Sequence, residues 1–173
     1  MKILIVYATS EGQTRKISRF MEEILQSKNH SVVIADATED PPSPEKFDAV
    51  LIGSSIHIQK YHSSIKNYVM QNLDELNRKH SAFFSVCMAV ASDIKEEHEE
   101  VKKIAQHFLD QTGWKPNEIN HIAGALKYTQ YDYFKKLIMR MIAKKEGGST
   151  DTSKDHEYTD WDAVRSFVLG FAK

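Results

Sequence analysis

An open, doubly wound α/β sheet is the fold class this sequence predicts, and three observations predict it. Short apolar runs rich in β-branched residues recur along the chain. Segments with helical hydrophobic spacing lie between them, and a hydroxyl-rich turn joins the first run to the first helical segment. Continuous apolar runs without alternation suit parallel strands covered on both faces, and strand–helix alternation suits right-handed crossovers between them.

The elements follow in order. Lys2 to Tyr7 reads as a buried strand, and Ile17, Phe20, Met21, Ile24 and Leu25 form the stripe of the helix after it. Ser31 to Ala35 is a weaker second strand and Ala49 to Gly53 a third. Ile65, Tyr68, Val69, Leu73 and Leu76 share one helix face. Ala82 to Cys87 is the fourth strand, and Val101, Ile104, Ala105, Phe108 and Leu109 mark its helix. The fifth strand is expected from Ile119 to Leu126 through His121, and Trp161, Val164, Phe167, Val168 and Phe171 make the last helix. Sheets of this kind bind ligands outside the carboxyl ends of their strands, which directs attention to the loops after Tyr7, Gly53, Cys87 and Leu126.

With 173 residues the chain is expected to form a single domain, 1–173. Lys and Arg number 23 against 24 Asp and Glu, a net charge of -1, so the overall basic field that duplex nucleic acid demands is missing. One cysteine, Cys87, excludes an internal disulfide framework and suits a reducing compartment. His, Cys and acidic residues show no metal-ligand spacing, and no metal is expected. The N-terminal apolar run is too short for a signal peptide or a membrane span, so the expected location is cytoplasmic, without processing. The segment Asp40-Pro41-Pro42-Ser43-Pro44 is too short to separate domains.

The turn after the first strand reads Thr9-Ser10-Glu11-Gly12-Gln13-Thr14. Backbone N–H groups, Ser and Thr oxygens and the positive end of a helix dipole converge there, so a phosphate is a natural guest. Gly12 permits positive φ and close approach of ligand to backbone. Without a Walker lysine or a G-x-G-x-x-G run, ATP and dinucleotides fit less well than a monophosphate ester held by neutral donors. An ordinary N-cap turn, with Ser10 or Thr14 as the cap, is the alternative.

This turn resembles the phosphate loop of flavodoxins, T/S-x-T-G-x-T, with Glu11 at the third position, where the carboxylate is expected to turn to solvent. The stretches Val50 to His57, Tyr61-His62-Ser63, Ser81 to Val86, Ile122 to Tyr128, Gly147 to Thr152 and Tyr158-Thr159-Asp160-Trp161 are similar to the menaquinone-dependent protoporphyrinogen oxidases of that superfamily. These blocks span nearly the whole chain in the same order. The resemblance implies a flavodoxin-like five-stranded parallel sheet, helices on both faces, and an insertion after strand five at about 127–157. It implies FMN as cofactor and oxidation of protoporphyrinogen IX in heme biosynthesis, with electrons passing through FMN to a quinone. Two other functions stay open: an electron carrier docking redox proteins, and an FMN-dependent NAD(P)H or quinone reductase.

Under this resemblance Thr9, Ser10, Glu11, Gly12, Gln13 and Thr14 surround the phosphate, and Ser54, Ser55, Ile56 and His57 flank the flavin with Cys87, Met88, Ala89 and Val90. His57 and Tyr61 are candidates for orienting substrate or moving a proton, or else surface residues that begin the next helix. His62 reads as the latter, and Cys87 as a core thiol. In the expected insertion, Tyr131, Phe134, Ile138, Met141 and Ile142 fall on one stripe of the 131–145 segment, with Lys135, Lys136, Arg140, Lys144 and Lys145 elsewhere. Such a helix suits an anionic membrane surface, the propionates of a porphyrinogen, or simple packing on the sheet. Lys127, Tyr128, Lys135, Lys136 and Arg140 are the candidates for those contacts, which would place the protein peripherally on the inner face of the cell membrane. The oligomeric state is left open.

Overall fold

The computed structural model describes residues 1–126 and 156–173. Five parallel strands form one sheet in the spatial order β2-β1-β3-β5-β6: β1 Lys2–Ala8, β2 Ser31–Asp36, β3 Ala49–His57, β5 His80–Val86 and β6 Glu118–Ile122. The short strand β4, Lys60–Tyr61, pairs antiparallel with the end of β3. The helices are α1 Gln13–Ser27, α2 Ser63–Gln71, α3 Leu73–Arg78, α4 Lys95–Thr112 and α5 Trp161–Phe171.

Each face of the sheet is closed by its own core. Ile3 and Ile5 of β1 point towards Ile17, Met21 and Leu25 of α1 and Val164 and Val168 of α5. Leu4 and Val6 point the other way, towards Ile65 and Val69 of α2 and Ala105 and Phe108 of α4. Residues 3 to 8 of β1 are buried, which is why the strand reads as an unbroken apolar run rather than an alternation. The switch in strand order falls between β1 and β3, so the crevice at their carboxyl ends is the natural ligand site.

Three expected elements come out differently. The third strand does not stop at Gly53. It continues to His57, because Ser54 and Ser55 pair with Ser85 and Val86 of β5. The fifth strand is not continuous from Ile119 to Leu126. β6 ends at Ile122, and Ala125–Leu126 forms a separate strand, β7, antiparallel to β8, His156–Glu157. The stripe from Ile65 to Leu76 belongs to two helices, which break at Asn72, whose side-chain amide donates to the Tyr68 carbonyl at 2.9 Å. The β7–β8 pair joins the two ends of the expected insertion. Lys127, Tyr128, Lys135, Lys136, Arg140 and the whole 131–145 segment lie outside the described residues.

Candidate functional site

A cleft of about 430 Å³, part of it open to solvent, lies at the carboxyl ends of β1, β3 and β5. Thr9, Ser10, Glu11, Gln13 and Thr14 line one side, Ser55, Ile56 and His57 a second, and Val86, Cys87, Met88, Gly124 and Ala125 a third. Among the described residues lining it there is no lysine or arginine.

The phosphate-loop side is built for an acceptor-rich guest. Gly12 is the N-cap of α1 at φ 92°, so the helix starts with no side-chain cap on its first N–H groups. The Gly12 N–H itself donates to Thr9 Oγ1 at 2.8 Å, which tightens the turn. Thr14, fully buried, has an Oγ1 with no hydrogen-bond partner among the described residues, and the same holds for the buried Ser55 Oγ across the cleft. Buried hydroxyls left unsatisfied are costly, so two of them facing one cleft mark where a polar ligand completes the structure. Helix N–H groups, two orphan hydroxyls and the apolar walls of Ile56, Val86, Met88 and Ala125 fit a group with a phosphate at one end and a flat ring at the other.

Gln13 is held from far along the chain. Its Nε2 donates to Thr159 Oγ1 at 2.9 Å, and that hydroxyl donates to the Ala123 carbonyl at 2.7 Å. Thr159 therefore ties the start of α1 to the loop after β6. Nearby, the Cys87 N–H donates to the Ile122 carbonyl at 3.0 Å and the Tyr158 N–H to the Gly124 carbonyl at 3.1 Å. These bonds set Gly124 and Ala125 against the cleft. Thr159, Val86, Gly124 and Ala125 were not among the sequence candidates. The Gly124 and Tyr158-Thr159 stretches belonged to the similar blocks, but nothing local gave them a role.

Several candidates sit elsewhere or differently. Glu11 lines the cleft half-buried, and does not turn wholly to solvent. Ser54 is fully buried and outside the lining; its Oγ accepts the His62 N–H at 3.2 Å and so holds the hairpin behind the cleft. The reason is alternation, since Ser55 and Ser54 face opposite sides of the same strand. Ala89 and Val90 lie in the short 3₁₀ turn Met88–Ala91 and do not line the cleft.

Tyr61 is also absent from the lining. Its hydroxyl donates to Ser85 Oγ at 2.8 Å, and its ring packs edge-on against Phe83 and Phe108 at centroid distances of 4.9 and 5.1 Å. Burial pushes its hydroxyl well above the ordinary tyrosine value, and its proton goes to Ser85 rather than into the cleft. His62 caps α2, its ring Nδ1 accepting the Ser64 N–H at 3.3 Å. His57 is the one catalytic candidate in the cleft lining.

Cys87 lines the cleft, and burial, with the nearby Glu97 charge, raises its thiol above the ordinary value against a backbone hydrogen bond at Ala89. It is a neutral wall there, not an activated nucleophile. Among the described residues no cluster of His, Cys, Asp and Glu could hold a metal, and no helix is long and apolar enough to cross a membrane.

Comparison with known proteins bears on the whole chain. Residues 4–153 match the family described as flavodoxin domain. The protoporphyrinogen IX dehydrogenase (quinone) of Escherichia coli strain K12 is 35% identical over 173 residues, 99% of this chain and 95% of that protein. The protein of the same name from Leishmania major is 32% identical over 183 residues, covering 99% of this chain and 74% of its own length. In structure, flavodoxin 1 from Bacillus cereus superimposes with a TM-score of 0.61 over 99% of this chain and 97% of its own, at 14% identity, a likeness of fold.

Proposed function

The chain belongs to the flavodoxin domain family, and from that premise we propose that it is an FMN-dependent oxidoreductase that oxidises protoporphyrinogen IX in heme biosynthesis. The acceptor in this reading is a quinone, menaquinone in the first place. The observation that carries it is the 35% identity to the Escherichia coli enzyme across nearly the full length of both chains.

Bound FMN supplies a ring that takes up hydride equivalents from an organic donor and releases the electrons to an acceptor. The protein's own work is to hold and screen that ring. Thr14 Oγ1 and the uncapped first turn of α1 would hold the phosphate, and Ser55 Oγ would offer a hydrogen bond to the rest of the bound cofactor. Ile56, Val86, Met88 and Ala125 keep water from the ring faces. A ring nitrogen of His57, at the cleft wall, is the proposed group for orienting substrate and accepting its proton. Neutral donors suit a phosphate that stays bound while substrates exchange.

The cations of the 131–145 segment, with Lys127 and Tyr128, are proposed on sequence grounds to meet the propionates or an anionic membrane surface, with the protein peripheral on the cytoplasmic side. The test is anaerobic. FMN-loaded protein is mixed with protoporphyrinogen IX, and porphyrin fluorescence is followed with and without a menaquinone analogue. Growth that needs both protein and quinone is the expected result. No growth, with FMN bound, would discard this substrate and favour a carrier or reductase.

A further inference from the structure

The hairpin that closes the cleft wall is built against its own turn preferences. β3 and β4 pair Ile56 with Tyr61 and His57 with Lys60, which leaves Ile58 and Gln59 as a two-residue turn. Both have left-handed backbones, at φ 48° and 59°. Turns of this shape are ordinarily made by Asn-Gly or Asp-Gly, and a β-branched residue at positive φ is an outlier among folded proteins. Ile58 is also 76% exposed, the most exposed large apolar side chain among the described residues. An isoleucine is thus retained where both backbone and solvent disfavour it, two residues beyond the cleft-lining Ile56. The turn is tied down as well, since Gln59 Nε2 donates to Glu100 Oε1 of α4 at 3.3 Å. Strain kept at a cleft rim is a signature of function.

We propose that Ile58 is a specificity-determining residue: an apolar support for the part of a porphyrinogen macrocycle that overhangs the cleft. This rests on the function proposed above. In that reading, the cofactor occupies the cleft that Ile56 and His57 line. A macrocycle of four pyrroles brought against a flavin held there would be broader than the flavin and would extend past these lining residues. The head of a menaquinone, two fused rings, is much smaller than a macrocycle and needs no support there. Ile58 is the apolar residue that the hairpin carries past the lining residues Ile56 and His57, and the β3–β4 pairing on either side of the turn sets its place there.

The experiment compares FMN-loaded wild type with Ile58→Asn, Ile58→Val and Gln59→Gly, using protoporphyrinogen IX and a menaquinone analogue as the two varied substrates. Asn accepts the left-handed backbone, so Ile58→Asn is expected to raise Tm by about 3 °C and to leave the FMN Kd unchanged. Its KM for porphyrinogen is expected to rise about tenfold, with kcat held within about twofold and the quinone KM unaltered. Ile58→Val keeps the apolar contact and should keep KM within about twofold. Gln59→Gly relaxes the turn without removing the support, and should leave both KM values as they are. An unchanged porphyrinogen KM in Ile58→Asn overturns the proposal, as does a rise in quinone KM alone or an equal rise in Gln59→Gly. Wild type that binds FMN but oxidises no porphyrinogen overturns the functional reading and this proposal together, a result distinct from the others.

Discussion

The phosphate-loop turn and the β3–β4 hairpin face each other across one cleft, yet they are made by opposite means. In the first, the residue types agree with the backbone they adopt. Gly12 takes φ 92°, the position that L side chains rarely occupy, and hydroxyl residues stand where N–H groups converge. In the second, an isoleucine and a glutamine adopt left-handed conformations that their types resist, and the surrounding strand pairing holds them there. A turn of the first kind can be recognised locally; one of the second kind exists only because its strands are already paired.

The largest expected effect tests whether the hairpin arm depends on packing behind it. A Cβ at Gly53 would lie 1.9 Å from Phe84 Cζ, a fully buried ring, so glycine is required there by space and not by backbone angle. Gly53→Ala is expected to cost about 3 kcal/mol in urea unfolding, since the ring must leave its place between β3 and the α1 side. A loss below about 1 kcal/mol would mean that Phe84 repacks freely.

Next comes a change of opposite sign on two measurements. Thr14→Val removes the orphan hydroxyl at nearly constant shape, so the apoprotein should gain about 1 kcal/mol while FMN binds at least about tenfold more weakly. Loss of affinity without the gain in stability would show that the hydroxyl is satisfied before the cofactor arrives. Gly12→Ala keeps ample space around the new Cβ, so only the backbone angle opposes it. A cost of about 1 kcal/mol, read as a Tm lower by about 3 °C, is expected.

The smallest effect concerns His121, whose strand neighbour Ser85 supports Tyr61 beneath the hairpin. Burial, aided by the nearby Lys102 and His98, lowers its pKa below the ordinary 6.5, and its Nδ1 is buried without a partner. A folded-state pKa below the unfolded one means that the unfolded chain binds the proton first. The stabilisation is complete above pH 6.5 and is lost as pH falls from there through the lower folded value. His121→Gln should flatten that part of the acid-side decline in a urea-midpoint series, leaving the phosphate loop untouched.

The strands and helices were legible because their signals are local. β1 and its helix, the hydroxyl turn, and the alternation to α5 all stand where their periodicities lie. The errors cluster where a signal was local but the cause was distant. Gly53 and two serines read as the end of a strand, yet pairing with β5 carries β3 on to His57. Ala123 and Gly124 look like strand interior, yet β6 stops before them and β7 pairs with residues from the far side of the expected insertion. Ile58-Gln59 offers no turn residue at all, so nothing marked the hairpin, and with it hidden Tyr61 could be read as a cleft group when it is core.

Local patterning is enough for the kinds of element, their order and the hydroxyl-rich turn after β1, because spacing, hydroxyl content and one glycine act over a few neighbouring residues. Packing of the whole chain settles which of two adjacent serines lines the cleft and that the Tyr61 hydroxyl is engaged by Ser85. It also settles that Gln13 is held by a threonine 146 residues away. Those outcomes depend on strand register and on which segments meet across the sheet, and register and meeting are properties of the packed chain rather than of any stretch within it.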